Sequence, residues 1–177
     1  MSNLNVYDST GKPLEIERKY LVEMPDMNIV QKCEGYQKSH IEQLYLDKPA
    51  EGRIRKREYS DKCVCYHTVK QDVTDVSRIE VEKEISQSEY ERLSAYIRPN
   101  TKIIHKTRHC FLYKGQLFEL DVFDNIEGLV LLEIELQNEK QKIDFPDFIK
   151  ITAEVTHDKR FRNFSLASSD FCLLDFI

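Results

Sequence analysis

The chain contains no tryptophan, and only five glycines and five prolines in 177 residues. That scarcity excludes a collagen-like or low-complexity chain, and with 41% hydrophobic residues the composition is too apolar for disorder. No stretch approaches the roughly 20 apolar residues needed to span a bilayer as a helix. The first eleven residues lack the basic and apolar regions of a signal peptide, so the expected location is cytoplasmic, with no membrane partner. Positive charge is also short: 26 Lys and Arg stand against 31 Asp and Glu, leaving a net charge of -5. That balance gives no electrostatic case for a nucleic-acid partner, and any anion site must be local. The five cysteines (Cys33, Cys63, Cys65, Cys110 and Cys172) are odd in number and form no Cys-x-x-Cys pair. They read as free thiols in a reducing compartment.

What is abundant is alternation. Period-two patterning, bounded by Gly, Pro, Asn and Asp clusters, predicts strands at 13–23, 38–47, 52–59, 63–70, 77–85, 102–113, 116–124 and 129–137. Eight strands of that length point to a closed barrel or a sandwich. Between the fifth and sixth, Ser86-Gln87-Ser88-Glu89 forms a capping box, and Tyr90, Leu93, Tyr96 and Ile97 follow at helical spacing until Pro99. After Asp144 the alternation ends, and 158–167 is compatible with a short helical segment. No linker or repeat divides the chain. A single domain over 1–177 is expected, with 1–12 as a flexible N-terminus.

The alternating polar residues are unusual in kind. Glu15, Glu17 and Lys19 share one face of the first strand, opposite Ile16, Tyr20 and Val22. Arg53 and Arg55 flank Ile54. Arg78, Glu80, Glu82 and Glu84 interleave with Ile79, Val81 and Ile85. Glu119 and Asp121 flank Leu120, Glu133 and Glu135 flank Ile134, and Lys106 and Arg108 share a face.

For any one strand, the ordinary meaning of such a row is a solvated outer face. The alternative is a sheet that turns its charged faces inward around a hydrophilic lumen. Two observations favour the second. Repeated Glu-x-Glu pairs place like charges two residues apart, which is unfavourable without a cation or facing bases. The Arg and Lys rows supply a complementary anion site. Carboxylate pairs suit hard cations such as Mg²⁺ or Mn²⁺, and Arg forks with Lys point charges neutralise phosphate oxygens. Together they describe a site for a metal-bound polyphosphate.

Other constellations carry less. His105 and His109 lie on one strand face about 13 Å apart, too far to chelate one metal, so they read as surface or packing residues. Cys63 and Cys65 have no second pair to complete a zinc site. Phe111, Tyr113, Phe118 and Phe123 read as core and wall aromatics.

Glu15-Ile16-Glu17-Arg18-Lys19 has the Glu-x-Glu-x-Lys signature of the CYTH, or triphosphate tunnel metalloenzyme, superfamily. The later order resembles it too: Arg53-Ile54-Arg55, Thr68-Val69-Lys70, Arg78-Ile79-Glu80-Val81-Glu82, Lys106-Thr107-Arg108, Glu119-Leu120-Asp121 and Glu133-Ile134-Glu135. The tail, Glu154 through Asn163, is similar to the C-terminal segment of bacterial-type members, so the resemblance covers about residues 13 to 167.

It implies a mainly β α+β fold: an eight-stranded antiparallel closed β-barrel, or tunnel, with a charged lumen and helices packed outside. It also implies Glu15, Glu17, Glu133 and Glu135 as metal ligands for Mg²⁺ or Mn²⁺. Lys19, Arg53, Arg55, Lys70, Arg78, Lys106 and Arg108 are implied contacts of the phosphate chain, with Lys19, Arg55 and Lys70 catalytic. Glu80, Glu82, Glu119 and Asp121 would line the tunnel. Lys159 and Arg160 are candidate substrate contacts at its mouth, against the reading of a solvated helix face.

The implied activity is divalent-metal-dependent hydrolysis of the terminal phosphoryl group of a small-molecule triphosphate. Inorganic tripolyphosphate is the first choice and nucleoside triphosphates the second, in a monomer or homodimer. A class IV-type adenylate cyclase and a non-catalytic polyphosphate-binding module are the alternatives.

Overall fold

The computed structural model describes residues 6–7, 13–14, 16–72, 78–168, 171 and 173, without side chains at 6–7, 13–14, 70–72 and 78–80. The strands are β1 (Val6–Tyr7), β2 (Pro13–Leu14), β3 (Ile16–Val22), β4 (Glu34–Tyr45), β5 (Arg53–Glu58), β6 (Cys63–Asp72), β7 (Arg78–Ile85), β8 (Ile104–Tyr113), β9 (Gln116–Phe123), β10 (Val130–Leu136) and β11 (Ile151–Glu154). The helices are α1 (Met27–Val30), α2 (Gln87–Ser94) and α3 (Asn163–Leu166), with a 3₁₀ turn at Lys159–Phe161. Among the described residues no helix is long and apolar enough to cross a membrane.

The eight predicted strands are found, but the sheet differs from the expected closed eight-stranded barrel. It has nine strands in the order β11-β3-β10-β9-β8-β4-β5-β6-β7, and every pairing is antiparallel. Among the described residues its two edges do not pair. The physical reason lies at β3, whose second edge is taken by β11 through Ile151↔Val22, Ala153↔Leu21 and Glu154↔Tyr20. β7 therefore has only β6 as a hydrogen-bonded neighbour in this sheet. β11 escapes the alternation test because its four residues include one half-buried side chain and three exposed ones.

The open sheet nevertheless curls. Tyr45 on β4 and Lys19 on β3 are four strand steps apart, about 19 Å in a flat sheet. Yet Leu21 of β3 and Tyr45 of β4 pack against the same cluster of Ile104, Phe123, Val155 and Phe161, so the sheet wraps around this face.

Local chemistry sets the corners. The β8–β9 hairpin turns through Lys114 and Gly115, both at positive φ (48° and 76°), as a two-residue turn of the primed type requires. Gly52, just before β5, has φ +86°, and a Cβ there would lie 2.4 Å from the Thr68 carbonyl oxygen. Only glycine lets β5 start this close to β6.

Two apolar clusters cover the outer face. One packs Tyr20, Phe111, Phe118, Leu120, Leu132 and Ile134 with Val30 and Ile149. The other packs Leu44, Ile54, Cys65 and Ile85 beneath Tyr90 and Leu93 of α2. Ser86 caps α2 by accepting from the Glu89 backbone N–H at 3.1 Å. The helix stops at Ser94, short of Ile97, because the following backbone is bonded to β4 and the residues just beyond it: Asp47 N donates to Tyr96 O and Arg98 N to Tyr45 O, both at 2.8 Å. Ser86→Ala should cost about 1 kcal/mol. Urea unfolding that leaves the midpoint unchanged would show that packing of Tyr90 and Leu93 alone sets this helix.

Candidate functional site

The cross-strand registers put the charged rows on one face. Glu135 lies opposite Glu17, and Glu133 lies between Lys19 and Glu119. Cys110 pairs with Glu119 and Arg108 with Asp121, while on the far side Arg108 pairs with Ser39. Gln43 and Tyr45 carry the face on to Arg55 and Arg53, Thr68 lies opposite Arg53, and Glu82 opposite Thr68. This is the face around which the sheet curls. The sequence's inward reading of the alternation therefore holds for the described strands.

One end of the face is closed by apolar side chains. Ile104, Phe123, Leu129 and Leu131 are buried against Val155, Phe161, Leu166 and Ala167 of the C-terminal segment. The ring of Tyr45 meets Phe164 edge-on at 5.0 Å. This segment was legible only as compatible with helix. It forms as two short turns, with Asp158 capping the first by accepting from Arg160 N–H at 3.0 Å.

At the centre, Arg108 is 8% exposed and forks onto three carboxylates. Its Nε donates to Asp121 Oδ1 at 2.6 Å, its NH2 group to Asp121 Oδ2 at 2.5 Å and Glu133 Oε2 at 2.7 Å, and its NH1 group pairs with Glu119. Lys106, 2% exposed, binds Asp121 and lies 3.5 Å from Asn163 Oδ1, over the Phe123 ring. Burial opposes ionisation of Asp121, but Arg108 and then Lys106 overcome it and hold the carboxyl below its usual range. Burial pulls the Lys106 ammonium down despite Asp121. Lys106 and Arg108 are thus largely compensated from within.

Lys19 lies 2.7 Å from Glu133 Oε1 and 3.3 Å from Glu17 Oε1. Burial opposes its charge, yet Glu133 and Glu17 raise its pKa. The same pairing, with Arg108, holds Glu133 well below the carboxylate range against burial. Glu133 Oε1 is buried and has the Lys19 ammonium, at 2.7 Å, as its one side-chain partner among the described residues. A buried oxygen in that state has capacity for a further electropositive partner. Glu17 and Glu135, directly opposite each other, are like charges that a cation would relieve. Among the described residues no three His, Cys, Asp or Glu side chains stand together as a finished ligand set. Glu15 lies outside them. The donors present are all carboxylate oxygens, which fits a hard divalent cation and disfavours a soft one.

Across the lumen, Arg55 donates from its NH2 group to Glu82 at 3.0 and 3.1 Å, and Thr68 Oγ1 donates to Glu82 Oε2 at 2.7 Å. Arg55 Nε is buried without a hydrogen-bond partner. Burial, then the like charges of Arg53, Arg108 and Arg57, lowers the Arg55 pKa against Glu82. Among the described residues Glu82 is the one carboxylate paired with Arg55, against three around Arg108.

The side chains of Lys70, Arg78 and Glu80 lie outside the described residues; their backbones pair within β6 and β7, with Lys70 opposite Glu80. Lys159 and Arg160 are not brought into the charged row. Both are exposed, and Arg160 folds back onto Asp158, NH2 to Oδ2 at 2.6 Å. Asn163 reaches the lumen from that segment instead. His105 is exposed, whereas His109 is buried and bonded through Nδ1 to the Tyr36 hydroxyl at 2.9 Å. The described cysteines, 33, 63, 65 and 110, are free thiols, and Cys172 lies outside the described residues.

Sequence reasoning missed Arg57, Tyr45, Gln43 and Ser39. For Arg57 the signal was present, because Arg53, Arg55 and Arg57 continue one period-two row. Tyr45, Gln43 and Ser39 were obscured because β4 is buried on both faces along part of its length.

A family model described as CYTH domain matches residues 13–162. The chain is 34% identical to the inorganic triphosphatase of Acetivibrio thermocellus over 158 residues, covering 89% of this chain and 95% of that one. It is also 34% identical to an inorganic triphosphatase of Nitrosomonas europaea over 162 residues, with 88% and 97% covered. A crystal structure of the inorganic triphosphatase NE1496 resembles it with a TM-score of 0.55 and 30% identity, over 89% of this chain and 96% of that one.

Proposed function

The chain belongs to the CYTH domain family, and on that premise we propose that it is a metal-dependent triphosphatase that hydrolyses the terminal phosphoryl group of inorganic tripolyphosphate. The observation that carries this reading is the polarity of the lumen. An oxygen-only carboxylate wall on β3 and β10 shares one curled face with a guanidinium row on β5. A metal-bound anion with several phosphates matches both halves, and the relatives' names support the same substrate class.

Glu17, Glu133 and Glu135, with Glu15, would hold the cation, Mg²⁺ or Mn²⁺. When bound, such a cation supplies charge neutralisation at the phosphoryl oxygens. The chain's own residues account for the rest. Lys19, placed between Glu17 and Glu133, stays protonated and offers its charge beside the carboxylates. Arg53 and Arg55 grip the phosphate chain in line, and Lys70 and Arg78 are assigned to it by their strand positions. Arg55 is best suited to stabilise charge developing on the transferred group, because Glu82 is its one carboxylate partner among the described residues. Arg108, Asp121 and Glu119 form the rigid floor that orients Glu133 and Lys106. Water attacks the terminal phosphorus, the bond to the bridging oxygen breaks, and phosphate and a diphosphate-ended product leave.

Incubation with tripolyphosphate or ATP, in Mg²⁺, Mn²⁺ or EDTA, tests this directly. Phosphate release that needs metal and is faster from tripolyphosphate is expected. Cyclic AMP with pyrophosphate from ATP would replace the reading with a cyclase, and binding without product would replace it with a polyphosphate sensor.

A further inference from the structure

Arg57 lies in the guanidinium row, four residues beyond Arg53 and on the same strand face, about 13 Å away along β5. Its guanidinium is held on three sides. Nε donates to the Oγ of Ser39, itself 1% exposed, at 2.9 Å; NH2 lies 3.5 Å from Cys110 Sγ; and the Tyr59 ring centroid is 5.0 Å away. All three partners are neutral, and no carboxylate among the described residues pairs with it. Arg57 is therefore fixed in orientation without being neutralised, the opposite of Arg108. Its charge reaches Arg55, whose protonation it disfavours.

Its place in the lumen gives that charge a use. Arg53 stands, through its neighbour Tyr45, towards the end filled by the apolar cluster of Ile104, Phe123, Phe161 and Leu166. Arg57 stands at the other end. Packed apolar side chains occupy the Arg53 end, so on this reading a nucleoside attached to a triphosphate hangs from the Arg57 end. An inorganic chain instead presents there a terminal phosphate ionised on its outer oxygens. A nucleotide presents at that point an esterified phosphate of lower charge.

We propose that Arg57 is a specificity-determining substrate contact that takes the outer terminal phosphate of inorganic tripolyphosphate and so selects it over nucleoside triphosphates. This rests on the triphosphatase reading.

The test is the ratio of kcat/KM for tripolyphosphate to that for ATP, at saturating divalent metal, in the full chain and in Arg57→Gln. A charge-assisted contact of this kind is worth roughly tenfold to a hundredfold. The substitution is expected to lower kcat/KM for tripolyphosphate by that factor, mainly through KM, and to change the ATP value by less than about threefold. Equal losses on both substrates, or no loss on either, would overturn the proposal. Arg57→Lys keeps the charge and loses the fork, so it should lower the ratio by a smaller factor. It also serves if the Gln variant does not fold, and an unchanged ratio there overturns the proposal. If the wild-type chain hydrolyses neither compound, the triphosphatase reading fails separately. The same ratio is then read from calorimetric binding of tripolyphosphate and ATP, where an Arg57→Gln variant that preserves the ratio counts against Arg57.

Discussion

Arg108→Met is expected to destabilise the chain by about 3–5 kcal/mol, the cost of leaving buried carboxylates without their principal partner. The variant retains an apolar side chain of similar length, so loss of packing is a small part of that figure. Asp121 is fully buried and takes two of the Arg108 hydrogen bonds; Glu133, 6% exposed, takes a third. With the guanidinium gone, Lys106 and Lys19 remain as the nearest cations, and they are already engaged, Lys106 with Asp121 and Lys19 with Glu133 and Glu17.

The loss should depend on pH in a defined direction. The folded-state pKa of Asp121 lies below its ordinary value because Arg108 and Lys106 outweigh burial. Its contribution is therefore complete above the unfolded pKa of about 4 and disappears as pH falls through the lower folded value. In the variant the folded pKa moves up, so the penalty of the unpaired carboxylate is largest at neutral pH and eases as the group takes up a proton. Urea unfolding measured at neutral pH and near pH 5 would show a smaller deficit at the lower pH, where protonation relieves the unpaired carboxyl in the variant. A midpoint within about 1 kcal/mol of wild type at neutral pH would mean that the network relaxes or admits water.

This network also shows how far the sequence could be read. The rows Arg108, Glu119, Asp121 and Glu133 were visible as period-two charges, and so was their inward orientation, because repeated Glu-x-Glu pairs are hard to place on a bare surface. What the pattern could not give was pairing between strands distant in sequence. That Arg108 neutralises Glu133 across β9 follows from register, and register is set by turns and by packing of the opposite face. For the same reason the row at Arg53 and Arg55 was legible while its extension to Arg57 acquired meaning only once Ser39 and Cys110 lay beside it. The ninth strand left no trace in the alternation, since Ile151–Glu154 is bonded to β3 by backbone with little burial to pattern it. The sequence likewise named the charged residues of the C-terminal tail, whereas its contribution to the lumen is made by Phe161, Asn163 and Leu166. Long charged side chains near a mouth are free to turn to solvent, as Lys159 and Arg160 do.

Arg55→Ala is expected to reduce turnover of tripolyphosphate by a factor of about 10² to 10³ while leaving stability nearly unchanged. The two halves of that expectation have separate causes. Among the described residues Arg55 has one carboxylate partner, Glu82, which is itself partly exposed, and it is crowded by Arg53, Arg57 and Arg108. Removing it sacrifices one ion pair and relieves like-charge repulsion, so the folding balance shifts by less than about 1 kcal/mol. In the lumen the same crowding is what makes the position effective, because a guanidinium with a buried Nε and no acceptor for it is held ready for a phosphoryl oxygen. Glu17→Ala should behave alike from the opposite wall. Its carboxylate is 40% exposed and faces Glu135, so its removal eases repulsion in the fold but takes a donor from the cation site. Steady-state rates with excess metal, set beside thermal midpoints, separate the two effects. A wild-type rate in either variant would remove that residue from the site, and a collapse of the midpoint would mean that the charged wall is needed by the fold itself.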